Sequence, residues 1–318
     1  MASHSSSPEC EKACRKIHAS WNQLNHLGLA LALRTAADRR RIKETYKAMY
    51  GEDLVERLRR NHISNPKNEM CNILYMWMLE PAERDAIVAR DAFECSVVNH
   101  RALIEIYTRR KTNHLFFTKQ AYSALCKRNL DQDIIGEQNS PSQRILVALA
   151  ASHRSHHDDV SQHIAKCDAK RLYDAGKRRM GMVDEPVILE MFSKRSIPQL
   201  SLAFSSYKHI YGHDYTNTLK KDCCGEFEDT LRMVVKCIYN PAKYYSKMVD
   251  TSMKGPETDN RALTRVVLGS IEVGMEEVKT MYEKGYGKKL KDAICELLPE
   301  DDYRDFLVAL TNGPISIP

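Results

Sequence analysis

One short pattern occurs four times along the chain, and it constrains the fold more than any other feature of the sequence. Each copy has a tyrosine, usually followed four positions later by a second tyrosine and then by glycine; the copies begin at Tyr46, Tyr122, Tyr207 and Tyr282. The second copy is the most divergent, because Cys126 and Lys127 replace the second tyrosine and the glycine. Successive copies begin roughly 75 to 85 residues apart, a period typical of a multi-helix unit and too long for a two-helix solenoid repeat.

The residues before each copy indicate that the repeating unit is helical. Twelve positions before the first tyrosine stands an arginine in three copies and a serine in the fourth: Arg34, Arg110, Arg195 and Ser270. An apolar stripe at helical spacing precedes each of these positions, as at Leu24, Leu27 and Leu31. The Tyr-Gly pair is typical of a helix end, because glycine tolerates the left-handed conformation in which many helices terminate. We therefore predict about five short helices in each of four repeats, and almost no sheet.

Charge and cysteine usage narrow the setting in which the chain works. The formal net charge is +6, which favours anionic partners such as phospholipid headgroups, nucleic acid or acidic proteins. The 10 cysteines are scattered without a CxxC pair or zinc-ligand spacing, so we expect reduced thiols and a cytoplasmic location. The N-terminal residues lack a secretory signal pattern and no apolar run is long enough to cross a bilayer, so no transmembrane segment is expected.

Five further stretches of sequence are distinctive motifs that, together with the repeats, can be compared with known families. They are YGEDL at 50–54, WMLEPAERDA at 77–86, CIYNPAKY at 237–244, MKGPETD at 253–259 and ALTRVV at 262–267. With the repeats, they make the chain resemble the annexin family, and specifically its plant branch. The resemblance implies an all-α fold in which four annexin-type repeats of about five helices each form a curved disc. The implied divisions are an N-terminal tail at 1–12 and repeats at 13–85, 86–158, 159–246 (with the linker) and 247–318.

The resemblance also implies a function and a cofactor. Annexins bind anionic phospholipid membranes through calcium sites in the loop between the first two helices of a repeat, written Lys-Gly-x-Gly-Thr, which an acidic residue further along completes. These residue types suit Ca²⁺, a hard cation that takes six to eight oxygen ligands at roughly 2.3–2.6 Å. Glycines let backbone carbonyls turn toward one point, and the carboxylate leaves room for a lipid phosphate. We therefore expect Ca²⁺ to bridge the chain and an anionic phospholipid membrane surface.

The fourth repeat is the best candidate for such a site. Its candidate ligands, carbonyls first and then carboxylates, are Met253, Gly255, Glu257 and Glu296, with Glu300 or Asp301 as alternative acids. Pro256 and Glu257 stand where the family pattern has its second glycine. The competing interpretation is a polar turn in which Thr258 or Asp259 caps the next helix.

The third repeat matches the pattern less well. Gly181 is the one glycine that remains in its loop, and Glu226 or Asp222 is the candidate distal acid. An ordinary interhelical loop is the competing interpretation, and we favour it over a calcium site.

The loops of the first two repeats, at 17–22 and 95–100, contain no glycine. We expect no calcium site in either of them, although Glu69 and Glu137 remain as acids at the distal positions. Trp21, in the first of these loops, is a candidate for lipid contact or, more simply, for packing within the repeat.

Two other classes of function stay open at this stage. One is a calcium-independent interaction protein that uses basic charge to hold membranes, actin or other annexins. The other is a weak peroxidase or nucleotide phosphatase, activities credited to some plant annexins. Leu33 stands where plant-type first repeats often carry a histidine, so we expect no enzymatic activity and assign no catalytic residues. No RNP, KH or zinc-finger pattern supports a specific nucleic acid partner. The histidine-rich segment 153–159 is interpreted as a solvated linker.

Overall fold

The computed structural model describes residues 8–21, 23–151, 159–177, 183–221, 225–254 and 259–313. Helices are the regular structure throughout these ranges, and no strand occurs in them, so the all-α prediction is confirmed. The first ten helices are α1 (Pro8–Ala19), α2 (Leu24–Ala32), α3 (Ala36–Tyr50), α4 (Leu54–Ser64), α5 (Glu69–Met78), α6 (Pro81–Glu94), α7 (His100–Arg109), α8 (Thr112–Cys126), α9 (Leu130–Gly136) and α10 (Pro141–Ala150).

The remaining helices follow the same order of long and short elements. They are α11 (Gln162–Lys177), α12 (Glu185–Lys194), α13 (Ile197–Tyr211), α14 (Tyr215–Lys221), α15 (Glu226–Tyr239), α16 (Pro241–Met253), α17 (Asn260–Tyr286), α18 (Leu290–Leu297) and α19 (Asp302–Thr311). The sequence-based repeat divisions stay predictions. Helix α1 begins inside the segment assigned to the tail, and the division at 85/86 falls within α6.

Helix α17 consists of two helical segments that are separated at Gly274. This residue has φ 111° and ψ 96°, which lie outside the helical region and which only glycine adopts readily. The last repeat therefore has five helical segments, like the others. In the first three repeats, the arginine of the repeat pattern lies in the break between the second and third helices. Ser270, at the same position of the last repeat, lies inside α17 and donates to the Val266 carbonyl at 2.7 Å. In the last repeat, where serine replaces the arginine, the break between the helical segments therefore lies further along the chain, at Gly274.

In the second and third repeats, the arginine is paired with an aspartate from the first helix of its own repeat. Arg110 forms an ion pair with Asp85 of α6, and Arg195 Nε lies 2.7 Å from Asp168 Oδ2 of α11. Both aspartates are almost completely buried, and each also lies near a second arginine: Arg109 Nη2 is 2.9 Å from Asp85 Oδ1, and Arg171 Nη1 is 3.8 Å from Asp168 Oδ1. Removing Arg110 or Arg195 would therefore leave the buried carboxylate with one cationic partner instead of two. In the first repeat, Arg34 donates instead to a backbone carbonyl of α2 at 3.3 Å.

The recurring tyrosine pattern marks the end of the third helix of every repeat. The residue after α3, α8, α13 and α17 has a positive φ of 67°, 57°, 78° and 70°, in the order Gly51, Lys127, Gly212 and Gly287. Each donates its N–H to the carbonyl four residues earlier. Lys127 is the one residue other than glycine with a positive φ in the described ranges, and its Cβ makes that conformation unfavourable.

The first tyrosine of each copy is buried, and its hydroxyl reaches a polar partner on another helix. In three repeats that partner lies eleven positions further along, on the fourth helix. Ala293 occupies this position in the last repeat, and the hydroxyl turns instead to the first helix. The partners, in chain order, are Arg57 for Tyr46 (3.0 Å), Asp133 for Tyr122 (2.7 Å), Thr218 for Tyr207 (3.0 Å) and Asp250 for Tyr282 (2.9 Å).

The helices form two compact units, and the first comprises Met1–Leu79 with Tyr245–Pro318. In this unit α2 packs against α19, and α5 packs against both α17 and α19. These elements are the second and fifth helices of the first and last repeats. Gly28 of α2 allows the close approach, because a Cβ there would lie 2.2 Å from the Met70 side chain and 3.1 Å from that of Phe306.

The second unit, Glu80–Tyr244, uses the same scheme with its own helices. Helix α7 packs against α15, and α10 packs against both α12 and α15. Polar contacts reinforce this packing: the hydroxyls of Ser142 and Thr230 lie 2.9 Å apart, and Arg144 of α10 forms an ion pair with Glu185 of α12. In both units, therefore, second and fifth helices from two repeats form the shared core.

The strained helix end at Lys127 gives a stability prediction. A non-glycine residue in the left-handed conformation costs roughly 1–2 kcal/mol, and glycine loses roughly 0.4–1 kcal/mol through the freedom it adds to the unfolded chain. We expect Lys127→Gly to raise the free energy of unfolding by about 0.5–1 kcal/mol, measured by urea denaturation. Lys127→Ala is the matched control, since it removes the charge and keeps the Cβ. An equal gain in both variants would show that the charge, not the backbone, is responsible.

Candidate functional site

The loop between α16 and α17 is where the sequence places the best calcium site. Met253, the last residue of α16, has a buried side chain, and Lys254 Nζ lies 2.8 Å from Asp250 Oδ1. Asp259 accepts a hydrogen bond from the Ala262 N–H at 2.9 Å and so caps α17, one of the two caps that the sequence suggests. The other candidate ligands in this loop, Gly255 and Glu257, lie outside the described residues.

The three acids proposed to complete this site occupy different environments. Glu296, in the last turn of α18, forms an ion pair with Lys288. Glu300 is exposed and lies 3.4 Å from Arg304 Nη1. Asp301 is the N-cap of α19, where its Oδ1 accepts from the Arg304 N–H at 2.8 Å.

A buried tyrosine brings the start of α19 next to the start of α17. The Tyr303 hydroxyl donates to the Asn260 carbonyl at 3.0 Å, and it lies 2.9 Å from Thr264 Oγ1, which therefore donates to it. Asn260 and Asp301 line the same groove, which has a volume of about 1070 Å³, whereas Glu296 and Glu300 do not line it. Of the three candidate acids, Asp301 is thus the one placed beside the helix that follows the candidate calcium loop.

The groove is also lined by the connection between α4 and α5 and by Glu69, the first residue of α5. Burial raises the pKa of the Glu69 carboxyl; Arg261 and a hydrogen bond with Asn72 oppose the rise, and the Asp259 carboxylate adds to it. Glu69 therefore faces the start of α17 in the last repeat. The acid that remains at the distal position of the first repeat therefore lies beside the last repeat.

In the third repeat, the structure identifies an acid that the sequence analysis missed. The proposed loop glycine Gly181 and the acid Asp222 lie outside the described residues, and Glu226 is an exposed residue in the first turn of α15. Glu228 is only 4% exposed, and its Oε1 accepts from the Val183 N–H at 3.1 Å. The sequence signal for this contact is a glutamate three residues after the N-cap residue Gly225. A glutamate side chain at that position often reaches back to a backbone N–H group at the start of the helix.

Trp21, in the loop of the first repeat, is held within the repeat. Its Nε1 donates to the Tyr46 hydroxyl at 3.0 Å, and the guanidinium of Arg57 lies 4.1 Å from the centre of the indole ring. The His18 ring stacks on Tyr50 at 3.9 Å in the same cluster. These contacts support the packing interpretation of Trp21 and argue against lipid contact.

The loop of the second repeat is fixed by its own backbone. The Asn99 N–H donates to the Ala92 carbonyl at 3.0 Å, and the Asn99 side chain caps α7 by accepting from the Ala102 N–H at 3.1 Å. Burial lowers the pKa of His100, and Glu137 and Glu226 oppose that shift, so both acids lie close to the start of α7.

The side chains and helices of the described residues bear on metal binding and on membrane crossing. No group of three or more histidine, cysteine, aspartate or glutamate side chains there is arranged to hold a metal ion. Among the helices in those ranges, none is both long and apolar enough to cross a membrane.

Comparison with known proteins decides the family. The family model described as Annexin matches residues 167–234 and 244–310. Human annexin A13 is 32% identical over 282 residues, which cover 89% of this chain and 87% of that protein. The chain belongs to the annexin family. Annexin D7 of Arabidopsis thaliana is also 32% identical, over 280 residues that cover 88% of this chain and 86% of that annexin, so the relatives include both animal and plant members.

Solved annexin structures share this fold over almost their full length. The structure of annexin III covers 97% of this chain and 96% of its own, with 28% identity and a TM-score of 0.83. A structure of chicken annexin V, which was determined in complex with Zn²⁺, covers 96% of each chain, with 27% identity and a TM-score of 0.77. Annexin membership supports calcium-dependent phospholipid binding as the general activity, and annexins are generally non-enzymatic. The two matched ranges fall in the third and fourth repeats, whose loops keep a glycine.

The raised pKa of Glu69 gives a prediction about pH. The Glu69 carboxyl holds its proton more tightly in the folded chain than in the unfolded chain. The free energy of unfolding therefore falls as the pH rises from 4.5, the ordinary pKa of a glutamate, through the raised pKa. We expect Glu69→Gln to increase the thermal midpoint at pH 7, with an advantage that shrinks toward pH 4. Glu56→Gln is the control with the opposite sign, because Arg59 lowers the pKa of Glu56. A constant difference between Glu69→Gln and the wild type across this range would contradict the assignment.

Proposed function

We propose that this annexin binds anionic phospholipid membranes in a calcium-dependent manner, as a peripheral protein at the cytoplasmic membrane surface. The proposed principal site is the repeat-4 corner, which we define as the loop between α16 and α17 together with the loop between α18 and α19. Two findings support it: membership of the annexin family, and the position of Asp301 beside the start of α17. Binding to actin or to other annexins stays a prediction from the resemblance.

The oxygen donors of the repeat-4 corner suit calcium. Helix α16 ends at Met253, and the last carbonyls of a helix have no donor within that helix. Asp301 uses Oδ1 for its cap, and its Oδ2 makes no hydrogen bond with the residues that the structure describes. Carbonyl and carboxylate oxygens are the ligands that calcium prefers. Gly255 and Glu257 complete the proposed carbonyl set.

We propose Asp301 as the acid of this site in preference to Glu296 and Glu300. Glu296 would first have to leave the ammonium group of Lys288, and Glu300 extends toward Arg304 away from the groove that Asn260 lines. When bound, calcium would supply the positive charge that joins the protein oxygens to a lipid phosphate.

A secondary site in the third repeat is the weaker part of the proposal. Gly181 would supply a carbonyl, with Asp222 or Glu226 as the acid. Glu228 already accepts from the Val183 N–H, so it serves to hold the loop rather than to bind the ion.

Asp301→Asn tests the proposed site with little risk to the fold, because asparagine caps a helix as well as aspartate does. We expect the calcium concentration for half-maximal cosedimentation with phosphatidylserine vesicles to rise about tenfold, which corresponds to about 1.4 kcal/mol. The reason is the loss of the one charged ligand.

Glu296→Gln and Glu300→Gln are the matched controls, since each removes one negative charge from the same loop region. We expect each to change the half-maximal calcium concentration by less than about twofold, in keeping with the small contribution of exposed charges. A large effect of Glu296→Gln with none from Asp301→Asn would transfer the ligand role to Glu296. Equal cosedimentation of the wild type in calcium and in EGTA would reject calcium dependence altogether.

A further inference from the structure

The loop between α16 and α17 begins with a lysine that is tied back to the helix before it. Lys254 Nζ lies 2.8 Å from Oδ1 of Asp250, one turn earlier in α16, and the Lys254 N–H donates to the Asp250 carbonyl at 3.1 Å. Asp250 is only 8% exposed. The Tyr282 hydroxyl donates to the same Oδ1 at 2.9 Å. One buried carboxylate therefore joins the start of the candidate calcium loop to the tyrosine pattern near the end of α17.

The second tyrosine of this pattern, Tyr286, takes part in the same contact. Lys254 Nζ lies 5.0 Å from the centre of the Tyr286 ring, a distance at which the ring attracts a cation. Burial raises the pKa of the Tyr286 hydroxyl, and the charge of the Asp250 carboxylate and a hydrogen bond with it raise the pKa further. The ammonium group is thus held between a carboxylate and an aromatic face, although half of the Lys254 side chain is exposed.

The corresponding residue of the first repeat makes the same kind of contact with different chemistry. His18 precedes the first tyrosine of its repeat, Tyr46, by 28 positions, and Lys254 has the same spacing in the last repeat. The His18 Nδ1 atom lies 3.0 Å from the Tyr46 hydroxyl, and the ring stacks on Tyr50. The residues four positions before this point in the four repeats are, in chain order, Cys14, Arg90, Ala175 and Asp250. The repeat with the best candidate calcium loop is therefore the one repeat with an acid at this position.

This arrangement has two consequences for a cation in the loop. Lys254 lies between Met253 and Gly255, two of the proposed carbonyl ligands, so fixing its side chain restricts the backbone from which both carbonyls project. Ligands that are already restricted lose less conformational entropy when the ion binds. The ammonium group would by itself repel calcium, and the Asp250 carboxylate offsets its charge.

We propose that Asp250 and Lys254 are positioning residues of the repeat-4 calcium site, and that their ion pair sets the calcium affinity of the loop. The inference rests on the proposed function and adds to it, because neither side chain is itself a ligand of the ion. Exposed ion pairs at this spacing contribute little. The pair at Asp250 differs because its carboxylate is buried, and loss of the cation would leave that charge poorly compensated.

The test measures the calcium concentration for half-maximal cosedimentation of the full chain with vesicles of equal parts phosphatidylserine and phosphatidylcholine. We expect Lys254→Met and Asp250→Asn each to raise this concentration about fivefold. The double variant should raise it no further, because either change alone breaks the pair. Lys254→Arg should stay within about twofold of the wild type, since arginine also pairs with a carboxylate.

Lys194→Met is the matched control. Lys194 forms an ion pair with Glu190 at the same i, i+4 spacing and at 2.7 Å, but both side chains are largely exposed on α12. The variant removes the same charge from the chain, so it also measures the loss of general attraction to anionic vesicles, and we expect a change of less than about twofold. Circular dichroism at the assay temperature checks that every variant is folded. If Asp250→Asn fails this check, the Lys254 variants, whose side chain is half exposed, still decide the question.

The competing explanations predict different results. If Lys254 acted through its charge alone, Lys254→Met would lower the half-maximal calcium concentration, because a cation beside the ion is removed. If Lys254 contacted lipid directly, Asp250→Asn would leave binding unchanged, because the ammonium group is kept. Either result would overturn the inference, and so would fully additive effects of the two changes or equal effects of Lys254→Met and Lys194→Met.

The wild type separates this inference from the proposed function. Where its cosedimentation requires calcium, any of the four contrary results leaves the calcium site standing and removes only the positioning role of Asp250 and Lys254. Equal cosedimentation of the wild type in calcium and in EGTA would reject both.

Discussion

A buried phenol whose hydroxyl must find a hydrogen-bond partner is the interaction on which the helical repeats depend. The ring lies at the end of the third helix, and leaving its hydroxyl unsatisfied in the interior would cost roughly 1–3 kcal/mol. The partner eleven positions later fixes the fourth helix against the third, whether it is Arg57, Asp133 or Thr218. These side chains differ in charge and share only the ability to bond a hydroxyl. The position of the partner is therefore the same in three repeats, while its residue type differs. Tyr282 faces no such residue and donates to Asp250 of the first helix instead.

In the first repeat, the loop between the first and second helices takes part in this scheme, because Trp21 Nε1 also donates to the Tyr46 hydroxyl. Other contacts that join the first two helices of a repeat leave the loop out. The buried ion pair of Arg195 with Asp168, for example, joins the first helix of the third repeat to the end of the second helix and does not involve the intervening loop. In the first repeat, the loop is packed around Trp21 and Arg57. Such packing replaces a carbonyl cage by aromatic and cationic contacts, which stabilise the repeat and leave no glycine-based turn for an ion. A loop without calcium ligands is therefore compatible with the helical fold of the repeat.

The sequence was sufficient for the fold because its signals are local. A tyrosine followed by a left-handed glycine ends a helix wherever it occurs, and even the lysine variant at Lys127 keeps the same φ. The candidate site was harder, because its acids belong to a different loop from its carbonyls. Spacing along the chain does not distinguish Glu296 from Asp301 as the proposed acid. What separates them is the hydrogen bond from Tyr303 to the Asn260 carbonyl, which holds the start of α19 beside the start of α17. The contact of Glu228 with Val183 cannot be predicted from local spacing for the same reason, because the two residues are 45 positions apart in the chain.

Electrostatics explain why the proposed membrane contact at the repeat-4 corner would depend on calcium. The net charge of +6 attracts anionic lipid, but ions screen this attraction beyond a Debye length of about 8 Å at physiological salt. At contact, local charge dominates, and the groove beside the repeat-4 corner is lined by three acids, Glu69, Asp301 and Asp302, and by one lysine, Lys67. Without a cation, these carboxylates would repel lipid phosphates, so calcium would reverse the sign of the interaction there.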